Sequence, residues 1–352
     1  MKNFNLNKII RPNILAMKAY SSARDEFKDA SKDLIFLDAN ENPYNNGLNR
    51  YPDPQQRDLK QILSQIKNIS TENMVLGNGS DEVLDLIFRA FCEPNQDNVI
   101  SISPSYGMYS VLANLNAVEY RKSLLNITDF QPNLDDIFSK VDANTKMIFL
   151  CSPNNPTGEI IKRNTLTEIV ENFDGLVVID EAYIDFCDEK SWIYELENYP
   201  NIIVTQTLSK AVGLAGIRLG ILYARKEIIS VLNKIKPPYN VNQLTQNKAI
   251  EILKDYEKIN AIMQVLIEQK AVLKQALENC SFVEKIYPSD ANFILIKVDN
   301  ANKRYDEFLE KGIIIRNRTN DDLCENCLRI TVGTEEENSK LIETLTDLSR
   351  KI

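Results

Sequence analysis

Hydrophobic and polar positions fall into two textures along this chain. In its middle, short apolar runs rich in β-branched residues recur, each followed by a polar loop: residues 98–103 (NVISIS), 147–151 (MIFLC), 176–179 (LVVI) and 201–204 (NIIV). Runs that stay apolar throughout, rather than alternating, fit strands buried on both faces of a mostly parallel sheet. Amphipathic helical stretches separate them, so the pattern predicts an α/β arrangement. The run 218–224 (RLGILYA) predicts one more strand, antiparallel because its connection is short. Upstream, Val83, Leu86, Ile87, Ala90 and Phe91 repeat at i, i+3, i+4, i+7 and i+8, the apolar face of a helix that begins beside the loop GNGSDE at 77–82.

From about Gln246 the texture changes. Long charged helical patterns cover 247–279, followed by a strand at 291–298, a helix at 304–311, strands at 312–316 and 328–332, and a last helix near 335–351. Fewer strands among more helices predict a smaller α+β domain, joined to the first part at Lys236-Pro237-Pro238. The expected organisation is an N-terminal arm with part of the small domain at 1–45, a large domain at 46–240 and a C-terminal small domain at 241–352. No repeat of 20–50 residues interrupts it.

The loops carry the chemistry. After the four core runs, in order, come PSYGMY (104–109), SPNNPTG (152–158), DEAY (180–183) and TLSK (207–210). Open parallel sheets bind ligands outside the carboxyl ends of their strands, so four such loops imply one convergent site. Any one of them alone is ordinary turn composition. The glycines of GNGSDE, set just before a helix, let backbone N–H groups approach a phosphate; Glu82 occupies the third glycine position of a dinucleotide fingerprint, which disfavours a nucleotide-binding module. Lys210 with Ser209, Arg218 eight residues on, and Asp180 ending an apolar strand form the donor set that pyridoxal phosphate requires: an amine, a carboxylate for the pyridine nitrogen, and phosphate ligands.

Composition narrows the chemistry further. The 352 residues contain no histidine, which removes Ser-His-Asp and Cys-His catalysis and His-ligated metals. With 41 basic against 50 acidic residues the net charge is −9, unsuited to a nucleic-acid or anionic-membrane surface. Six cysteines are too few for a disulfide scaffold, and the lone C-x-x-C of Cys324 and Cys327 lacks partners for zinc, so no metal site is expected. No run approaches 18 apolar residues, and the basic N-terminus (Lys2, Lys8, Arg11, Lys18) lacks the apolar core of a secretory signal; a cytoplasmic location is expected.

The motifs together resemble the fold-type I aminotransferases, and within them the histidinol-phosphate branch. The likeness runs over most of the chain: LDANENP (37–43), NRYPDP (49–54), GNGSDE, PSYGMY, SPNNPTG, DEAYIDF, TLSKAVGLAGIRLG and LRITVG (328–333). The resemblance implies a fold-type I, pyridoxal 5′-phosphate-dependent α/β transferase. It also implies transfer of the amino group of L-histidinol phosphate to 2-oxoglutarate in L-histidine biosynthesis, by a cytoplasmic homodimer with shared active sites. Lys210 would hold the cofactor covalently and carry the substrate proton. Asp180 would pair with the pyridine nitrogen, Asn155 and Tyr183 would bond the ring oxygen, and Tyr106 would stack on the ring. Ser80, Asp81, Ser209 and Arg218 would bind its phosphate, joined by Tyr51 from the partner subunit. Arg316 and Arg329 would form the substrate's anion-binding pair, with Asn40 and with Tyr20 on an arm closing over the site. Departures from the family pattern are Val212 in place of the usual Phe, Asn95 where relatives often have Gly, and an unusually acidic 321–326 beside the anion site. A threonine-phosphate decarboxylase-like enzyme and an aromatic aminotransferase share this scaffold. A non-catalytic cofactor-binding regulator is disfavoured because Lys210 and Asp180 are both kept.

Overall fold

The computed structural model describes residues 4–19 and 35–350. Its centre is a seven-stranded sheet of β1 (Met74–Asn78), β2 (Asn98–Ser103), β3 (Glu119–Leu124), β4 (Thr145–Cys151), β5 (Leu176–Asp180), β6 (Ile202–Thr207) and β7 (Leu219–Ala224), in the order β1-β7-β6-β5-β4-β2-β3. β2 pairs in parallel with β3 and β4, and β4–β5 and β5–β6 are parallel as well. β7 is antiparallel to both β1 and β6, as its short connection requires.

The apolar runs behave as two-faced strands. Ile148, Leu150, Val177, Ile179, Ile202 and Val204 point into one core, while Met147, Phe149, Leu176, Val178 and Ile203 point into the other. The first core lies beneath the helices Arg57–Lys67 and Gln243–Leu253, and the second beneath Gly79–Phe91 and Lys226–Ile235. Ile9, Ile10 and Ile14 of the N-terminal segment join the second core.

The remaining strands, β8 (Val283–Ile286), β9 (Phe293–Val298), β10 (Arg316–Asn317) and β11 (Cys327–Thr331), form an antiparallel sheet ordered β10-β11-β9-β8. Its alternation is functional. Ile294, Ile296, Leu328 and Ile330 face a core of their own with the helices Tyr256–Glu278, Ala301–Glu310 and Glu335–Ser349. Phe293, Leu295 and Cys327 face the first core of the large sheet. The two sheets therefore share apolar packing, and the face of β11 that carries Arg329 is turned towards the large sheet.

Three expectations are corrected. The charged helices expected over 247–279 are two, as the pattern allows, but the first starts earlier, at Gln243, and ends at Leu253; the next starts at Tyr256, capped by Asp255, whose side chain accepts from the Lys258 N–H. The strand expected at 312–316 shrinks to Arg316–Asn317, because Gly312 at φ 74° still belongs to the turn out of the preceding helix. β1 and β3 are missed by the pattern: β1 offers only the three apolar residues Met74, Val75 and Leu76 before a glycine. β3 (EYRKSL) is an exposed edge strand whose charges mask its period.

Beside the sheet, the buried carboxylate of Glu181 is held by the Trp192 N–H at 2.7 Å, by Gln206 Nε2 at 2.9 Å and by the Ser191 hydroxyl. Burial outweighs these donors and pushes its pKa up from 4.5 to about 7. The folded chain thus keeps a proton there that the unfolded chain releases near 4.5, so this group loses stability as pH rises from about 4.5 to 7. Glu181→Gln cannot ionise. Measured by denaturant unfolding, its stability relative to the parent should climb across that window, by up to roughly 3 kcal/mol. A flat difference would refute the assignment.

Candidate active site

The carboxyl ends of β2, β4, β5 and β6 open onto one cavity of about 560 Å³. Its walls bring together Ser80, Asp81, Tyr106, Asn155, Asp180, Tyr183, Ser209, Lys210, Arg218, Arg316 and Arg329. These eleven were named from sequence alone, and they come from segments spread over some 250 residues.

Asp180 ends β5, the middle strand of the sheet, and is 3% exposed. Desolvation raises its pKa, and two donors oppose the rise: the Tyr109 hydroxyl at 2.7 Å and the Ala182 N–H at 3.2 Å. Tyr109 is itself fully buried, stacked between Phe149 and the edge of Tyr106. Sequence reasoning missed it: it sits in the PSYGMY motif, but nothing local pairs it with a carboxylate 71 residues away.

Lys210 follows β6 through a turn in which the Ser209 N–H donates to Thr207 Oγ1 at 3.1 Å. Its ammonium is 5.7 Å from the centroid of the Tyr183 ring. Desolvation, then Arg329 and Arg218, lower its pKa below the usual lysine value, against the pull of Asp180 and Asp81. Tyr183 is nearly buried, edge-on to Phe293 at 5.2 Å, and burial raises its pKa.

The opposite end of the cavity is an anion cup. Gly79 begins the thirteen-residue helix Gly79–Phe91 at φ 77°, and its N–H donates to the Arg218 carbonyl at 2.8 Å. A Cβ on Gly79 would lie 2.6 Å from an Arg218 terminal nitrogen, and one on Gly220 would lie 2.3 Å from the Gly79 carbonyl carbon. Gly220 meets backbone and admits no side chain, while at Gly79 the left-handed backbone is what disfavours one. Arg218, in the left-handed region at φ 56°, reaches Asp81 at 3.5 Å, and Asp81 accepts from the Tyr106 hydroxyl at 3.0 Å. Helix N-terminus, two serines and an arginine suit a phosphate. With the amine of Lys210 and the buried Asp180 in the same cavity, the donor set fits pyridoxal phosphate.

Arg329 lies across the Phe293 ring at 5.1 Å and donates to Asn155 Oδ1. Its buried Nε has no hydrogen-bond partner among the described residues. Arg316 is its cross-strand neighbour. The cavity also takes Thr207 and Arg318, which were not singled out from sequence. Two expected residues, Asn40 and Tyr51, lie elsewhere, and a third, Tyr20, falls outside the described residues. Asn40 is exposed, at φ 54°. Tyr51, half exposed, stacks on Tyr239 at 4.5 Å beside a separate hollow lined by Glu41, Arg50 and Leu244. Among the described residues no cluster of acidic or cysteine side chains could hold a metal, and no helix is long and apolar enough to cross a membrane.

Residues 24–345 match the family Aminotransferase class I and II. A histidinol-phosphate aminotransferase of Christiangramia forsetii is 60% identical over the whole of both chains. One from Flavobacterium johnsoniae is 61% identical over 98% of this chain and 99% of its own. The crystal structure of the histidinol-phosphate aminotransferase from Clostridium acetobutylicum superposes with a TM-score of 0.80 at 26% identity, covering 87% of this chain and 92% of that one. The chain belongs to the class I and II aminotransferases and, within them, to the histidinol-phosphate aminotransferase family.

Tyr109→Phe should cost roughly 1–3 kcal/mol of stability near neutral pH, because it strips a donor from a buried carboxylate. It should also raise the pKa of Asp180, so that titrated pyridoxal phosphate affinity begins to fall at a higher pH than in the parent. Identical pH curves would show that the hydroxyl does not govern this carboxylate.

Proposed function

We propose that this chain transfers the amino group of L-histidinol phosphate to 2-oxoglutarate, giving imidazole acetol phosphate and L-glutamate, as a cytoplasmic step of L-histidine biosynthesis. The observation that carries this reading is the meeting of Lys210, the buried Asp180 and a group of arginines in one cavity, in a chain 60% identical to a histidinol-phosphate aminotransferase.

Bound there, pyridoxal phosphate supplies an electron-poor ring that accepts charge as a substrate C–H bond breaks. Asp180, which accepts from the Tyr109 hydroxyl and the Ala182 N–H, would hold a proton at the pyridine nitrogen. Asn155 spends Oδ1 on Arg329, which leaves Nδ2 as the donor edge for the ring oxygen beside Tyr183. Tyr106, tied to Asp81 through its hydroxyl, would stack against the cofactor ring. Ser80, Asp81, Ser209 and Arg218 take the phosphate at the helix N-terminus. Lys210 Nζ, with a lowered pKa, is deprotonated more readily than a free lysine and so can both anchor the cofactor and carry the proton to and from the substrate's Cα. Arg316 and Arg329 hold the phosphate of one substrate and the carboxylates of the other.

The same reading includes a homodimer in which Tyr51 completes the partner's phosphate cup, and in which Asn40 and Tyr20 approach the substrate. It also keeps the division into an arm at 1–45, a cofactor-binding part at 46–240 and a C-terminal part at 241–352.

L-Histidinol phosphate should bleach the long-wavelength absorbance of the holoenzyme, and 2-oxoglutarate should restore it. Lys210→Ala should lower turnover by at least about 10²–10⁴-fold, since it removes anchor and proton carrier together. Borohydride reduction should fix the cofactor on Lys210; a label on another lysine, or no spectral response to L-histidinol phosphate, would sink the reading. For the shared site, mixed Tyr51→Phe and Lys210→Ala chains should regain activity as heterodimers, in which one site carries neither lesion. No recovery under proven subunit exchange would place Tyr51 outside the site.

A further inference from the structure

The small sheet presents three arginines to the cavity, one more than the family resemblance implies. Arg316 lies opposite Arg329 in the antiparallel register. Arg318, two residues on, shares the face of Arg316, and its N–H continues the pairing to the Cys327 carbonyl at 2.9 Å. Like charges placed directly across two strands repel, so this wall is arranged for an anion rather than for its own stability. Of the two arginines on the β10 side, Arg316 is exposed, whereas the Arg318 side chain is only 15% exposed.

Arg318 also has an acidic companion, which Arg316 lacks among the described residues. Asp321 Oδ2 lies 2.9 Å from Arg318 Nε as an ion pair without hydrogen-bond alignment, and both buried atoms lack a hydrogen-bond partner among the described residues. The turn that carries Asp321 is tied to the large sheet by its neighbour Asp322, which accepts from Ser103 Oγ at 2.5 Å and from Lys122 Nζ at 2.8 Å. Arg318 is therefore held at the seam between the sheets with one carboxylate already on it. Three guanidiniums against that single carboxylate leave an excess of two positive charges on the wall.

We propose that Arg318 is a specificity-determining residue for the phosphate-bearing substrate, and that Asp321 is the built-in competitor that disfavours carboxylates at this position. The proposal rests on the function proposed above. A substrate carboxylate offers Arg318 the same single charge that Asp321 already supplies, so exchanging one for the other gains little. A phosphate dianion brings twice the charge and a third oxygen, and the Arg318 guanidinium, ion-paired with Asp321 but with no hydrogen bond at its Nε, keeps donors for it. Excess positive charge in a half-enclosed cavity favours the dianion again. The acidic 321–326 segment, a departure from the family pattern beside an anion site, thus acquires a role: it sharpens the choice of anion.

The test uses the full-length holoenzyme, so that the cofactor's own phosphate cup is filled. Inorganic phosphate and glutarate are titrated by calorimetry, and the half-reactions with L-histidinol phosphate and L-glutamate are followed separately by absorbance. Arg318→Gln should weaken inorganic phosphate binding and raise the half-saturating concentration of L-histidinol phosphate roughly ten- to hundredfold, the loss of about one charge-assisted contact. Glutarate and L-glutamate should suffer about tenfold less. Asp321→Asn, the second variant, should tighten glutarate several-fold and narrow the preference for phosphate. Equal losses for both anions in Arg318→Gln, no loss for either, or an unchanged preference in Asp321→Asn would overturn the inference. Those outcomes differ from failure of the functional reading, in which the parent itself responds to L-glutamate but not to L-histidinol phosphate.

Discussion

A carboxylate buried at the end of the middle strand is the constraint around which this molecule is built. Taking Asp180 out of water is expensive, and a buried charge survives only with partners on every side that water has left. The chain meets that demand from several directions. Tyr109 is brought in from the first turn of the helix Met108–Leu115 that follows β2, the Ala182 N–H turns back from the next residue but one, and Lys210 sits in the same cavity at the end of β6. Those contacts require β2, β5 and β6 to end at one edge, which the parallel order of the sheet provides. The electrostatic need and the topology are two descriptions of a single arrangement.

The second sheet supplies what the first lacks. β9 and β11 pack one set of alternate residues into their own core and the other set against the large sheet, so the seam between the sheets is apolar at Phe293, Leu295 and Cys327. Arg329 emerges from that same seam, over the Phe293 ring and bonded to Asn155 of the large sheet. An arginine anchored by ring contact and by an amide is set in place before any substrate arrives, which spares binding part of its ordering cost.

What was legible in the sequence was whatever announced itself locally. Lys210, Asp180, Asn155 and Tyr183 lie in loops of unusual residue types directly after apolar strands, and strand ends are where an open sheet gathers its chemistry. The residues passed over depend on distance in the chain or on register. Tyr109 matters only because a residue 71 positions away lies against it. Arg318 matters because β10 begins at Arg316, so that 316 and 318 share a face; a strand read as 312–316 stops short of it. β3 was invisible because its outward charges erase any period, and the place of the break between Leu253 and Tyr256 because both halves carry the same charged texture.

The polar character of β3 has a further consequence. It is the terminal strand of a long sheet, and among the described residues one of its edges has no neighbouring strand. An apolar ribbon there would invite the same edge of another molecule, and stacked sheets of that kind grow into insoluble aggregates. Arg121 is instead held by Glu119 at 2.9 Å and by Asp142 at 2.7 Å, and Lys122 by Asp322 at 2.8 Å. Ordered charge along that rim makes edge-to-edge stacking costly in desolvation. The strand that contributes least to the buried core thus guards the whole sheet during the crowded minutes after synthesis, when half-folded chains are most exposed to one another.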